Sequence, residues 1–327
     1  ASPLASSRCA STAATAPAAA TPLNTGPVAV AGSAMKAKTG ATVQLDGSAS
    51  SDADGDTLIY SWTLFSAPAG SIATLNNASS AKPSFTADVA GTYVASLVVN
   101  DGKIGSAASK VEIKVDAVAF NSIPSAFPPN MPSWGFQAKQ TASLGDRIEL
   151  AAATPRKLSE ITIAMSSWAC GNGAGDATCA TTPGATYDHP ITIRFFADNG
   201  TPLGELTKTF AIPFRPSTAA SCGDWRWKAE DGNCYNGYGF KITFDMRDVG
   251  VTLPETFSYE LAFNTQSYGA QPSGVANAPY NSLNVGLYSN TALPSVGRDL
   301  DITLLRKNSA EVSSGSSGVM AQIITTP

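Results

Sequence analysis

Apolar and polar positions alternate with a period of two along most of the chain, and no window carries a convincing helical period. Successive side chains of a strand point to opposite faces, so strict alternation marks strands that pack one face on a core. Tyr60, Trp62 and Leu64 alternate with Ser61 and Thr63, and Tyr93, Ala95, Leu97 and Val99 share a face. Ile161, Ile163 and Met165 alternate in the same way, as do Ile191, Ile193 and Phe195. Phe240, Ile242, Phe244 and Met246 point one way with Lys241, Thr243 and Asp245 the other. Phe257, Tyr259, Leu261 and Phe263, then Leu283, Val285 and Leu287, repeat the pattern. One polar face per strand predicts antiparallel sheets and an all-β chain.

Gly, Asp, Asn and Ser clusters divide residues 26–116 into strand candidates at Val28–Ala31, Ala41–Leu45, Leu58–Phe65, Ser84–Asp88, Gly91–Asn100 and Ala107–Val115. This spacing, with one aromatic strand in mid-sequence, predicts an immunoglobulin-like sandwich without a disulfide. Residues 117–327 open on the Pro-rich segment Ile123–Asn130 and predict a larger, jelly-roll-like β-sandwich. Residues 1–25 are an Ala/Thr/Ser/Pro tract without periodicity, expected to be a flexible arm or linker.

Within residues 26–116 the runs Leu45-Asp46-Gly47-Ser48-Ala49-Ser50-Ser51-Asp52-Ala53-Asp54-Gly55-Asp56, Tyr60-Ser61-Trp62, Gly91-Thr92-Tyr93 and Val99-Asn100-Asp101-Gly102 follow one another. In that order they resemble a polycystic-kidney-disease (PKD) domain. The resemblance implies a non-catalytic spacer or adhesion module of secreted and surface proteins, and names no ligand. The region beyond it is similar to uncharacterised secreted bacterial β-sandwich modules.

Composition narrows the function classes. Lys, Arg, Asp and Glu make 14% of the chain and the net charge is −4, against a usual charged share of about 25%. That argues against a basic nucleic-acid binder and offers no polybasic face to anionic lipid. No apolar run approaches the roughly 18 residues of a membrane span, so no membrane insertion is expected. His189 is the single histidine, which excludes a multi-His metal site and leaves a catalytic triad one base at most. His189 precedes Pro190 in a context that reads as a turn, and no nucleophile elbow accompanies it. A carboxylate pair among Asp224, Glu230 and Asp231 is the remaining catalytic candidate, by closeness alone.

The chain begins at Ala1 without Met, as a processed secreted protein would. Cys170, Cys179, Cys222 and Cys234 fall as two close pairs in Gly/Asn/Asp-rich loops. Four cysteines allow three connectivities; the local pairs Cys170–Cys179 and Cys222–Cys234 are preferred, and a four-thiolate zinc site is the alternative. Cys9 is left over, as a free thiol or an intermolecular link.

Two constellations suggest ligands. Asp52, Asp54 and Asp56, with Asp46 and Asp101 on neighbouring loops, offer hard oxygens of the kind calcium takes. They do not form an EF-hand, since Thr63 stands where that loop carries Glu; the alternative is a self-capped Asx turn. Trp225 and Trp227, inside the Cys222–Cys234 loop, would project to one side of an extended backbone and could stack on sugar faces; the alternative is that they cover the sandwich end. The chain is therefore expected to be a non-catalytic extracellular structural or adhesion protein contacting other proteins or copies of itself. A carbohydrate-binding accessory module is the second expectation, and a secreted hydrolase the third.

Overall fold

The structure, a computed structural model, describes residues 23–136, 141–172, 178–223, 226–264, 283–289, 294–313, 315 and 317–327. Regular structure among the described residues is β, apart from one 3-10 turn at Ala220–Cys222. The expected arm, Cys9 and Trp225 lie outside the described residues, at least in the part before Leu23 for the arm.

The first sandwich comprises β1 (Met35–Lys38), β2 (Thr42–Gln44), β3 (Ile59–Ser66), β4 (Ser84–Thr86), β5 (Gly91–Asn100) and β6 (Ser109–Asn121). β3, β5 and β6 run antiparallel, with Trp62 opposite Leu97 and Tyr93 opposite Ile113, and β1 lies parallel to β6. β2 and β4 form the facing ribbon. Leu45, Trp62, Phe85, Tyr93, Leu97 and Ile113 fill the space between them. The Tyr93 hydroxyl donates to Asp88 at 2.7 Å and accepts from the Val89 amide at 3.0 Å. These bonds tie a buried ring to the turn before its own strand. The strand expected at Val28–Ala31 is a single bridge, Val28 to Ser51. The unexpected β1 pairs with β6 despite two lysines, because those lysines stay partly exposed.

The second sandwich contributes β7 (Ser133–Gly135), β8 (Ser143–Glu149), β9 (Lys157–Ser167), β10 (Thr186–Ala197), β11 (Pro202–Pro213), β12 (Trp227–Lys228), β13 (Cys234–Tyr235) and β14 (Tyr238–Asp245). It continues with β15 (Thr256–Ala262), β16 (Leu283–Ser289), β17 (Arg298–Asp299), β18 (Leu304–Lys307), β19 (Ala310–Ser313), β20 (Ser317–Val319) and β21 (Ala321–Thr326). One sheet runs β11-β10-β15-β8-β18-β19. The other holds β14, β9, β21, β16 and β20. Ile161, Ile163 and Phe244 of one sheet meet Ile193, Phe257 and Leu261 of the other in a single core, as the alternation predicts.

β6 belongs to both sandwiches. Its first half pairs with β5, and its second half pairs with β21, Ala117 opposite Thr325 and Phe120 opposite Ile323. The sequence reading ended this strand at Val115, but the buried alternation Val115, Ala117, Ala119 continues; alanine carries too weak a strand signal to show it. Around the crossing, the Val118 amide donates to Thr39 Oγ1 at 2.9 Å and the Lys38 ammonium sits 2.9 Å from Glu160. A single ten-strand sheet, counted over the described residues, therefore passes through both sandwiches.

His189 is not in a turn. It lies in β10 opposite Phe210 and is 1% exposed, because β11 continues the ladder past Pro190 on one side while β15 begins only at Thr192 on the other. Cys170–Cys179 and Cys222–Cys234 are disulfides with Cα separations of 5.7 and 5.6 Å, so these thiols are not zinc ligands. The Thr218 amide donates to the Cys179 carbonyl, which brings the two stapled loops to the same end of the sandwich.

Candidate functional site

The five aspartates do not gather. Asp46 stands apart, its Oδ1 taking the Ser48 amide and hydroxyl and its Oδ2 2.7 Å from Lys82; Lys82 and Ser48 hold its carboxyl well below the usual range. Asp52 Oδ1 accepts the amides of Asp54 and Asp56, the signature of an Asx turn. Asp101 accepts the amides of Ile104 and Lys103 and the Asn24 side chain, which lower its pKa to about 2. Lys103 bridges to Asp56 at 2.7 Å. Among the described residues no group of three or more His, Cys, Asp or Glu is poised for a metal.

Trp227 is 5% exposed. Its Nε1 donates to the Gly237 carbonyl at 2.8 Å, and Tyr235 and Tyr238 lie against it with centroids 5.7 and 5.6 Å away. The expected stacking role therefore does not hold for Trp227: its ring closes the small core under the Cys222–Cys234 loop.

A concave site does exist elsewhere. On β9, Thr162, Ala164 and Ser166 alternate with the core residues and face outward. The Pro-rich segment crosses this outer face as a strap, with the Pro129 carbonyl accepting from the Gly239 amide and Asn130 accepting from the Ser166 hydroxyl. Ile123, Phe127 and Met131 pack beneath it on Ala164, Tyr288 and Met320. Beside the strap lies a cleft of about 590 Å³ whose lining includes Asn121, Gln322, Ser295, Lys241 and Tyr288. Asn121 Nδ2 donates to Ser295 Oγ at 2.9 Å and to the Ile123 carbonyl at 3.1 Å. Gln322 Nε2 donates to Asn121 Oδ1 at 3.3 Å. These bonds fix two amides at one wall. Sequence reading missed the cleft because its residues come from separate strands and no motif joins them; the Pro-rich segment was its only visible part.

Behind Tyr288 is a buried acidic network. The Tyr288 hydroxyl donates to Asp299 at 2.5 Å, and the Val319 amide donates to Asp146 at 3.0 Å. Burial, and after it the Asp299 carboxyl, hold Asp146 well above the ordinary carboxyl range. A carboxyl raised on folding stabilises the fold while protonated, and that contribution is lost as pH rises through its folded pKa. The stability of Asp146→Asn relative to the parent is therefore expected to grow from pH ~5 to pH ~8 in thermal unfolding. Comparing variant with parent cancels His189, whose pKa burial lowers. A difference in melting temperature that stays constant with pH would contradict the assignment.

Compared with known proteins, residues 31–115 match the family model of a PKD domain. No curated protein matches the chain. Among solved structures, a nucleoside hydrolase-related hypothetical protein from Saccharophagus degradans, associated with carbohydrate metabolism, is 32% identical over 28% of this chain and 26% of its own, with a TM-score of 0.25. The PKD domain of the KIAA 1837 protein is 31% identical over 30% of this chain and 92% of its own, with a TM-score of 0.25. A β-sandwich-superfamily structure described for promiscuous carbohydrate-binding modules is 14% identical over 93% of this chain and 98% of its own, with a TM-score of 0.27.

Proposed function

We propose that this chain, a PKD-like domain at residues 31–115 joined through β6 to a second β-sandwich, is a non-catalytic extracellular adhesion protein acting through contacts with other proteins or with copies of itself. The observation that carries the reading is the shared strand. A thirteen-residue strand hydrogen-bonded in both sandwiches replaces the flexible linker that usually separates domains and suits a load-bearing spacer. Two disulfides fit an oxidising compartment, and no helix among the described residues is long and apolar enough to cross a membrane. The burial of His189 keeps the one imidazole from a substrate. Ile59, Phe65, Ile72 and Ile104 are exposed on the first sandwich, where contacts between proteins would cover them. Light scattering after size exclusion, under oxidising conditions, is expected to show multimers of the full chain that Cys9→Ser or removal of residues 1–25 dissolves. A monomer at every concentration would contradict self-assembly.

A second reading, carbohydrate binding, is favoured by the cleft. Its volume is that of a small-ligand site, and its amides and hydroxyls suit a polyol.

A further inference from the structure

We infer that the cleft takes a carboxylated sugar, a uronate unit whose carboxylate is met by Lys241; the inference rests on the carbohydrate reading. Lys241 is the one charged side chain in the cleft lining, and no Asp or Glu lines it. Its ammonium stands 4.5 Å from the centroid of the Phe127 ring on the strap. A ring face attracts and positions a cation without neutralising it. Among the described residues Lys241 makes no ion pair, whereas the carboxylates further along the same outer face are taken: Glu160 by Lys38 at 2.9 Å and Asp245 by Arg247 at 2.6 Å. Lys208 reaches across from β11 to the Thr243 carbonyl at 3.3 Å, two residues from Lys241 on β14, and adds positive potential on that side. The opposite wall is neutral, with Asn121 and Gln322 held by their mutual bond. An anionic group at one end and hydroxyls at the other is the ligand that this polarity fits. The apolar surface of Ile123, Leu287 and Met320 between them suits the C–H face of a pyranose.

The test is calorimetric titration of the full chain with a galacturonate trisaccharide and with the same trisaccharide after its carboxyls are reduced to alcohols. The acidic form is expected to bind, to weaken about tenfold in Lys241→Ala, and to recover in Lys241→Arg. Lys241 is exposed, so the alanine variant folds as the parent does. The reduced form is expected to bind more weakly, and equally to parent and Lys241→Ala. Equal affinity for both sugars, or an alanine variant that binds the acidic form as the parent does, overturns the inference and leaves the carbohydrate reading standing. Absence of binding by either sugar overturns both.

Discussion

Gly145→Ala is expected to stop the second sandwich from folding. A Cβ at this position would lie 1.7 Å from the Tyr259 carbonyl oxygen and 2.7 Å from the Glu260 Cα. Gly145 stands opposite Glu260 where β8 and β15 pair in mid-sheet, so the obstructing atoms are backbone and cannot swing aside. β8 is held on its other side by β18, and both neighbours are locked by the core. The loss should exceed the ~4 kcal/mol that marks the exceptional end of single substitutions. Thermal unfolding checks it: a soluble variant melting within ~2 °C of the parent would show that the β8–β15 register is wrong.

Arg306→Met should cost about 3–5 kcal/mol, the penalty for leaving a buried charge without its partner. Glu260 is fully buried, with Arg306 Nε at 3.1 Å from one carboxylate oxygen and the hydroxyls of Ser143 and Ser309 donating to the other at 2.9 and 3.2 Å. Methionine keeps much of the arginine's length but supplies no charge, so the carboxylate must stay unpaired or take a proton. For a sandwich of this size the loss corresponds to a fall in melting temperature of roughly 10 °C. Adding Glu260→Gln should restore part of it, since the double variant removes the stranded charge. A single variant within ~1 kcal/mol of the parent would contradict the role given to the pair.

Much of the fold was legible because each strand buries one face. Residues 91–100 form the expected strand end to end, and the local cysteine pairs are the disulfides. Legibility fails where burial and residue type part company. Ala117 and Ala119 are buried in β6, yet alanine looks neutral in sequence, so a strand shared by two sandwiches read as a boundary. Pro190 suggested a turn, and the partial edge left beside β10 accommodates it within a strand instead. The functional surface was the least legible part. Trp227 offered the strongest chemical signal and is spent on a small core with Tyr235 and Tyr238. Lys241, Asn121 and Gln322 each look like ordinary solvent-facing residues, and only the strap laid across the outer sheet face makes a site of them. Asp146 gave no signal either, because its depth depends on β8, β17 and β20 converging from distant parts of the chain.

The central claim is that β6 makes the two sandwiches one rigid body. Nitroxide labels at Glu112, exposed on β6 in the first sandwich, and at Thr209, exposed on β11 in the second, report on it through the distance distribution from pulsed dipolar spectroscopy. A shared strand predicts one narrow peak that survives the addition of moderate salt, because hydrogen bonds and not the Lys38–Glu160 pair hold the junction. A broad distribution, or two populations that exchange with salt, would contradict the claim.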